Sequence, residues 1–194
     1  MIKYLFLFLI TSTIYSQEND YFTERLNLMN GVFNIPEGYK VEGSNIEYTW
    51  CWDNKDEGGI FRTLSNTDES ILIGIIINYV SEKDLEVARR YNPEWTADTN
   101  YINRFKNLAD TINYPVRYYA TSYVKEKLNA DKAVEYSRGC TRSYKEKYTH
   151  NKIVMIGKKD VGYIQIDFLY TDAAKKTIYD EIDKVLPMLV KFKE

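Results

Sequence analysis

Histidine is almost missing from this chain, with His150 the single one among 194 residues, and cysteine occurs only twice, at Cys51 and Cys140. One imidazole cannot build a metal site with several histidine ligands. The recurrent signatures of enzymes are missing as well: no G-x-x-x-x-G-K-[ST] phosphate loop, no G-x-G-x-x-G turn, no H-E-x-x-H helix and no G-x-S-x-G elbow. Charge of one sign is not in excess, since 26 basic side chains face 28 acidic ones for a net charge of −2. That mild acidity excludes the clustered basic face of a nucleic-acid binder. The nearest thing to a basic patch, Lys145, Lys147, Lys152, Lys158 and Lys159, is interrupted by Glu146 and Asp160 and reads as a solvated face. No cofactor is implied.

Apolar runs are short. The longest near the start, Tyr4 to Ile10, falls well below the roughly 20 residues that span a bilayer as a helix. It follows Lys3 and precedes the small and polar Thr11, Ser12, Thr13 and Ser16, the order of a secretory signal peptide. Residues 1–16 are therefore expected to be removed, leaving an exported domain over 17–194, periplasmic or extracellular, with no membrane span. Ile14 departs from the small residue usual three positions before a cut. No cysteine follows the cut, which argues against a lipid anchor. Loss of Lys3 with the leader takes the net charge to −3.

In an oxidising compartment two cysteines tend to pair. A Cys51–Cys140 bridge would close a long loop and stabilise the fold by about 4–5 kcal/mol in the chain-entropy model. Two buried thiols, or one reactive thiol, are the alternatives. Tyrosine is plentiful, 18 residues. Such rigid, amphipathic rings suit a binding face, and an AT-rich codon bias would enrich the same residues.

Along the chain, a polar lead-in over residues 18–30 precedes Gly31 to Tyr39, a short apolar strand broken by Pro36, Glu37 and Gly38. Ile46 to Trp52 alternates like a half-buried strand and Asp53 to Gly59 is a charged turn. Ser70 to Val80, with Ile71, Ile73, Ile75 and Ile77 on one face, predicts a central strand. Ser81 and Asp84 form a capping-box start for a helix over Glu82 to Arg90. A second helix is expected from Asn100 to Ile112 on the spacing of Ile102, Phe105, Ala109 and Ile112, after a loop containing Asn92, Pro93 and Asp98. Val116 to Val124 and Lys132 to Ser137 read as strands around a turn at Glu126 to Lys132. Ile153 to Ile156 and Val161 to Tyr170 form a hairpin signal through Gly157 to Asp160. Thr171 or Asp172 is expected to cap a last helix striped by Ile178, Ile182, Val185 and Leu189, which Pro187 ends or bends. With no internal repeat, the reading is one α+β domain, a mainly antiparallel sheet packed by helices.

Three constellations bear on chemistry. Cys140 with His150, flanked by Arg138 and Arg142, has the composition of an activated thiol, against the plainer reading of a bridged cysteine and a surface histidine. Asp53, Asn54, Asp56, Glu57 and Gly58 resemble a calcium loop, except that Lys55 stands where an oxygen ligand belongs. Trp50, Trp52 and Trp95 either fill the core or stack on sugars, with the alternation around Trp50 favouring core.

The segments GVFNIPEGY, ILIGIIINYVSEKDLEVARRYN, VGYIQIDFLYTD and IYDEIDKVLPMLVKFKE together resemble the PsbP-like sandwich family, whose archetype is an extrinsic subunit of photosystem II. The carrying residues are Phe33, Ile35, Pro36, Gly38 and Tyr39 at the start and Gly162 and Tyr163 near the end; the likeness is weak between Tyr114 and Tyr148. The resemblance implies an α/β/α fold and a non-enzymatic accessory or binding role, with no catalytic residue to carry over. The chain departs from the archetype in its bacterial-type leader and in lacking any sign of a photosynthetic partner surface. The expected function is an exported protein that holds a protein partner outside the cytoplasm. Alternatives are a periplasmic immunity protein against an antibacterial toxin, and an exported hydrolase or thiol enzyme using Cys140 and His150.

Overall fold

The computed structural model describes residues 21–43, 62–139 and 144–193. Ile46 to Trp52, the Asp53 to Gly58 loop, Trp50, Trp52, Arg142, both cysteines and the leader lie outside the described residues. The architecture is the expected α+β domain built on an antiparallel sheet.

Seven strands make the main sheet: β2 (Tyr39–Gly43), β3 (Arg62–Asn66), β4 (Ile71–Tyr79), β5 (Arg117–Tyr118), β6 (Lys132–Tyr136), β7 (His150–Lys158) and β8 (Gly162–Tyr170). Their order is β2-β3-β4-β8-β7-β6-β5, every pair antiparallel. A separate ribbon pairs β1 (Gly31–Phe33) with β9 (Val190–Phe192). The break read at Pro36 to Gly38 is thus the passage from one sheet to the other, with Gly38 at φ 82° in the turn.

Both faces of the sheet are covered, which is why its central strands read as nearly continuous apolar runs. On one face the helix over residues 21–28 (α1), α4 (Thr121–Leu128) and α5 (Ile178–Leu189) bury Ile71, Ile73, Ile75 and Ile77 of β4 with Ile164, Ile166 and Phe168 of β8. The expected α5 stripe is realised: Ile178, Ile182, Val185 and Leu189 are all at most 1% exposed. Burial of each such side chain stabilises the fold by about 1.5–3 kcal/mol. Pro187 sits inside the helix, which stops two residues later; the ring denies the carbonyl of Asp183 its helical donor. On the other face α3 (Ala97–Leu108) lays Tyr101 and Phe105 on Val134, Tyr136, Ile153, Met155 and Tyr163, while α2 (Glu82–Tyr91) anchors through Leu85.

Several expectations need correction. The lead-in over residues 18–30 contains helix α1, because Phe22, Leu26 and Met29 recur at helical spacing and are buried. Helix α3 starts at Ala97, so Asp98 lies in the helix rather than in a loop, and Thr96 and Thr99 cap it reciprocally. It ends at Leu108; Ile102 is exposed and Ile112 is 93% exposed, so the face that packs is Ala97, Tyr101 and Phe105. The strand read over Val116 to Val124 is two residues long and gives way to α4, whose last turn occupies part of the expected Glu126 to Lys132 turn. Neither Thr171 nor Asp172 caps α5: they begin a 3₁₀ turn (Asp172–Ala174), and the helix starts at Ile178. The Ser81 capping box is formed as read, with Asp84 Oδ2 3.0 Å from the Ser81 amide.

A cationic cleft beside a buried ion pair: the candidate functional site

Strand β7 alternates, so His150 and Lys152 point to the α5 face and Asn151 to the α3 face. Beside them β6 sends Glu135 to the same face as Lys152, two residues along from Ala133 of the core. Glu135 is 1% exposed and Lys152 5%. Lys152 is therefore no part of a solvated basic patch; the expectation for that patch fails here because this lysine points inward from an apolar strand and is enclosed between Glu135 of β6 and Tyr179 of α5. Of the remaining four, Lys145, Lys147 and Lys159 are exposed, and Lys158 donates to the Asn129 carbonyl at 2.7 Å.

Charges cluster around Glu135. Its Oε2 accepts from the Tyr119 hydroxyl at 3.1 Å and from Arg117 Nη1 at 3.5 Å, and Arg117 reaches on to Asp183 of α5 at 2.9 Å. Its Oε1 lies 3.7 Å from Lys152 Nζ, beyond hydrogen-bonding distance, and has no hydrogen-bond partner among the described residues. Burial dominates, so the Glu135 carboxyl is pushed above its usual range despite Lys152, Tyr119 and Arg117. Tyr119 is raised as well, by burial and by the charge of Glu135.

The ends of β6 and β7, the start of α5 and the loop before β5 enclose a cleft of about 370 Å³. Arg138, His150, Lys152 and Lys175 contribute its basic groups; Tyr114, Tyr170 and Tyr179 contribute rings. No Asp or Glu lines it among the described residues. Asn151 fixes one wall by donating to the Arg138 carbonyl and accepting from the Arg138 amide, both at 2.9 Å. Lys152 places its ammonium 4.7 Å from the Tyr179 ring centre.

His150 is not the bare surface residue expected. Its Nε2 lies 2.7 Å from Asp172 Oδ1, and its ring leans on Tyr170 with centroids 5.3 Å apart. The same hydrogen bond holds Asp172 below the usual carboxylate range. A His–Asp pair needs a nucleophile to become a hydrolytic triad. The Ser137 hydroxyl on this wall is already donated to the Asn151 carbonyl at 3.0 Å, and no hydroxyl hydrogen-bonds His150 among the described residues. Cys140, its proposed thiol partner, lies outside those residues, as does any Cys51–Cys140 bridge.

Among the described residues the tyrosines do not make a single binding face. Tyr101, Tyr136, Tyr148, Tyr163 and Tyr170 are buried, several satisfied internally, such as Tyr148 on the Glu69 carbonyl at 3.0 Å. Trp95 is half-buried, packs against the small Val80, Leu85 and Ala97 cluster and donates to Asn100 at 3.0 Å. Among the described residues no helix is long and apolar enough to cross a membrane, and no group of three or more His, Cys, Asp or Glu is placed to hold a metal ion.

Comparison with solved structures returns the solution structure of cyanobacterial PsbP (CyanoP) from Synechocystis sp. PCC 6803. The match covers 85% of this chain and 88% of that one at 11% identity and a TM-score of 0.42. At that level the likeness carries nothing further to this chain, neither family nor function. No family model matches the chain. No curated protein matches it either.

Proposed function

We propose that this protein is a non-enzymatic binding module, exported by its leader, that holds a protein partner outside the cytoplasm. The observation that carries the reading is the cleft: a polar and aromatic concavity walled by Arg138, His150, Lys152 and Lys175 on a rigid sheet, with its one histidine bonded to Asp172 and its serine hydroxyl bonded to Asn151. Preformed concave sites with a few convergent polar groups are the usual places for recognition. The immunity-protein variant requires a negative surface against a basic toxin, and this cleft has the opposite sign, so the toxin would have to engage elsewhere. A Cys51–Cys140 bridge completes the proposal as a staple suited to the exported compartment.

The test is affinity capture of the tagged mature protein from the host envelope fraction. The reading expects a stoichiometric protein, retained through washing and absent from a tag-only control. Repeated capture with no such protein, together with hydrolytic or thiol-transfer turnover by the purified chain, overturns it.

A further inference from the structure

Four charges are linked in a chain behind the cleft: Asp183 of α5, Arg117 of β5, Glu135 of β6 and Lys152 of β7. Two carboxylates stand against two cations, so the group is balanced while all four are ionised. Glu135 is its hub, with Arg117 Nη1 3.5 Å from Oε2 and Lys152 Nζ 3.7 Å from Oε1. Each of those cations also touches α5. Arg117 reaches Asp183 at 2.9 Å, and Lys152 sets its ammonium 4.7 Å from the Tyr179 ring centre. Arg117 and Asp183 are partly exposed, whereas Glu135 and Lys152 are enclosed. Lys152 and Tyr179 line the cleft, and Glu135 stands behind them.

A proton on Glu135 upsets this balance. Burial favours the neutral carboxyl, and Oε1, which has no hydrogen-bond partner among the described residues, is the oxygen open to a proton from solvent. The Tyr119 hydroxyl at 3.1 Å donates to Oε2 in either form. The phenols facing the site, Tyr119, Tyr123 of α4 and Tyr170 of β8, are all raised by burial and do not compete for the change. Once Glu135 is neutral, Arg117 keeps Asp183, but Lys152 has lost its counter-charge. An enclosed ammonium in that state is driven towards water, and the cleft is the way out. We propose that Glu135 is a proton-operated latch on the cleft: ionised, it holds Lys152 back against Tyr179, and protonated, it releases the ammonium into the cleft. On the binding-module reading the grip on a partner then changes as the compartment acidifies; the latch itself belongs to the free protein.

The test is an NMR titration of the full mature protein through the carboxylate and histidine ranges. It reads the Glu135 carboxyl carbon, the Lys152 ε-methylene and the Tyr179 ring together, and follows His150, which shares the cleft wall, through its own ring protons. Glu135, Lys152 and Tyr179 should share one midpoint, above the ordinary glutamate range, with the Lys152 signals moving on the acid side to free-lysine positions as they leave the shielding of the ring. Glu135→Gln should hold Lys152 and Tyr179 at their acid-limit positions at every pH. Asp183→Asn removes a negative charge that opposes ionisation of Glu135. In that variant the midpoints should fall together, by about 0.5 pH unit for a charge that is partly screened by solvent.

Lys152 and Tyr179 signals that follow His150 instead of Glu135, that stay fixed while Glu135 titrates, or that still titrate in Glu135→Gln would each overturn the latch. So would midpoints that separate in Asp183→Asn. Matching thermal unfolding at neutral pH checks the fold of both variants, and if Glu135→Gln does not fold, the parent and Asp183→Asn titrations decide between the same two results. Every readout is made on the free protein. Failure of the latch therefore leaves the binding-module reading standing, and failure to capture a partner leaves the latch standing.

Discussion

Lys152→Met keeps most of the aliphatic stem and removes the charge that faces Glu135 at 3.7 Å inside the fold. At an effective dielectric constant near 20, that separation corresponds to about 4 kcal/mol of Coulomb attraction. Removing one member of a buried pair commonly costs about 3–5 kcal/mol. Glu135 has an escape, because it can take up a proton, and from an ordinary carboxyl value neutralising it at pH 7 costs no more than about 3.4 kcal/mol. Arg117 and the Tyr119 hydroxyl remain against its other oxygen. We therefore expect Lys152→Met to lose about 2–3 kcal/mol at pH 7, read as a shift of the urea midpoint with unchanged slope. At pH 5 the proton costs only about 0.7 kcal/mol, so the loss should shrink below 1 kcal/mol.

The sign for the parent protein follows from linkage. Burial raises the Glu135 carboxyl in the folded state, so the folded chain holds the extra proton between the unfolded and folded values. Its contribution therefore makes stability fall as pH rises through that window. Glu135→Gln should flatten this part of the pH profile, and adding it to Lys152→Met should recover most of the loss at pH 7. A cost of Lys152→Met that is the same at pH 5 and pH 7 would refute the electrostatic account and leave only stem packing.

Three further outcomes are expected. Gly162→Ala should destabilise by about 2–5 kcal/mol in a thermal or urea melt, because φ is +134° there and a Cβ would lie 2.0 Å from the Asn78 carbonyl oxygen; a loss under 1 kcal/mol contradicts that geometry. Ile182→Ala, at a fully buried position of α5, should cost about 2–5 kcal/mol and leave far-UV circular dichroism intact at low temperature. Iodoacetamide should leave the mature oxidised protein unlabelled until reductant is added, after which Cys51 and Cys140 both react; immediate labelling of Cys140 alone would replace the proposed bridge with a reactive thiol.

Much of the fold was legible because its signals are local and strong. Ile71, Ile73, Ile75 and Ile77 mark β4, Ser81 and Asp84 write a capping box, and the α5 stripe keeps helical spacing through Leu189. Gly162 and Tyr163 carried the family resemblance for a reason now visible: the glycine admits a backbone approach that no side chain permits. Helix α1 was hidden because three apolar residues, Phe22, Leu26 and Met29, are spread through a polar stretch. Helix α3 was misplaced because the exposed Ile102 and Ile112 outweighed Tyr101 in the count of apolar spacing.

The candidate site was harder to read. The sequence marks His150 and Arg138 for thiol chemistry and places Lys152 on a solvated face, and no local pattern marks Lys175 or Tyr179. A lysine at an inward register of β7, with a glutamate diagonal to it on the same face of β6, opposite Val154, is a signal only once the β6–β7 pairing is known. Asp172 was expected to cap a helix, whereas it is held by a histidine more than 20 residues earlier in the chain.

The proposed binding role places the partner at the cleft. Its most direct test is quantitative recovery of the captured envelope protein on parent protein and on the Arg138→Gln, Lys175→Gln variant in parallel. Recovery on the parent that falls at least roughly tenfold on the equally folded variant is the predicted result. Equal recovery on both would place the contact elsewhere and contradict it.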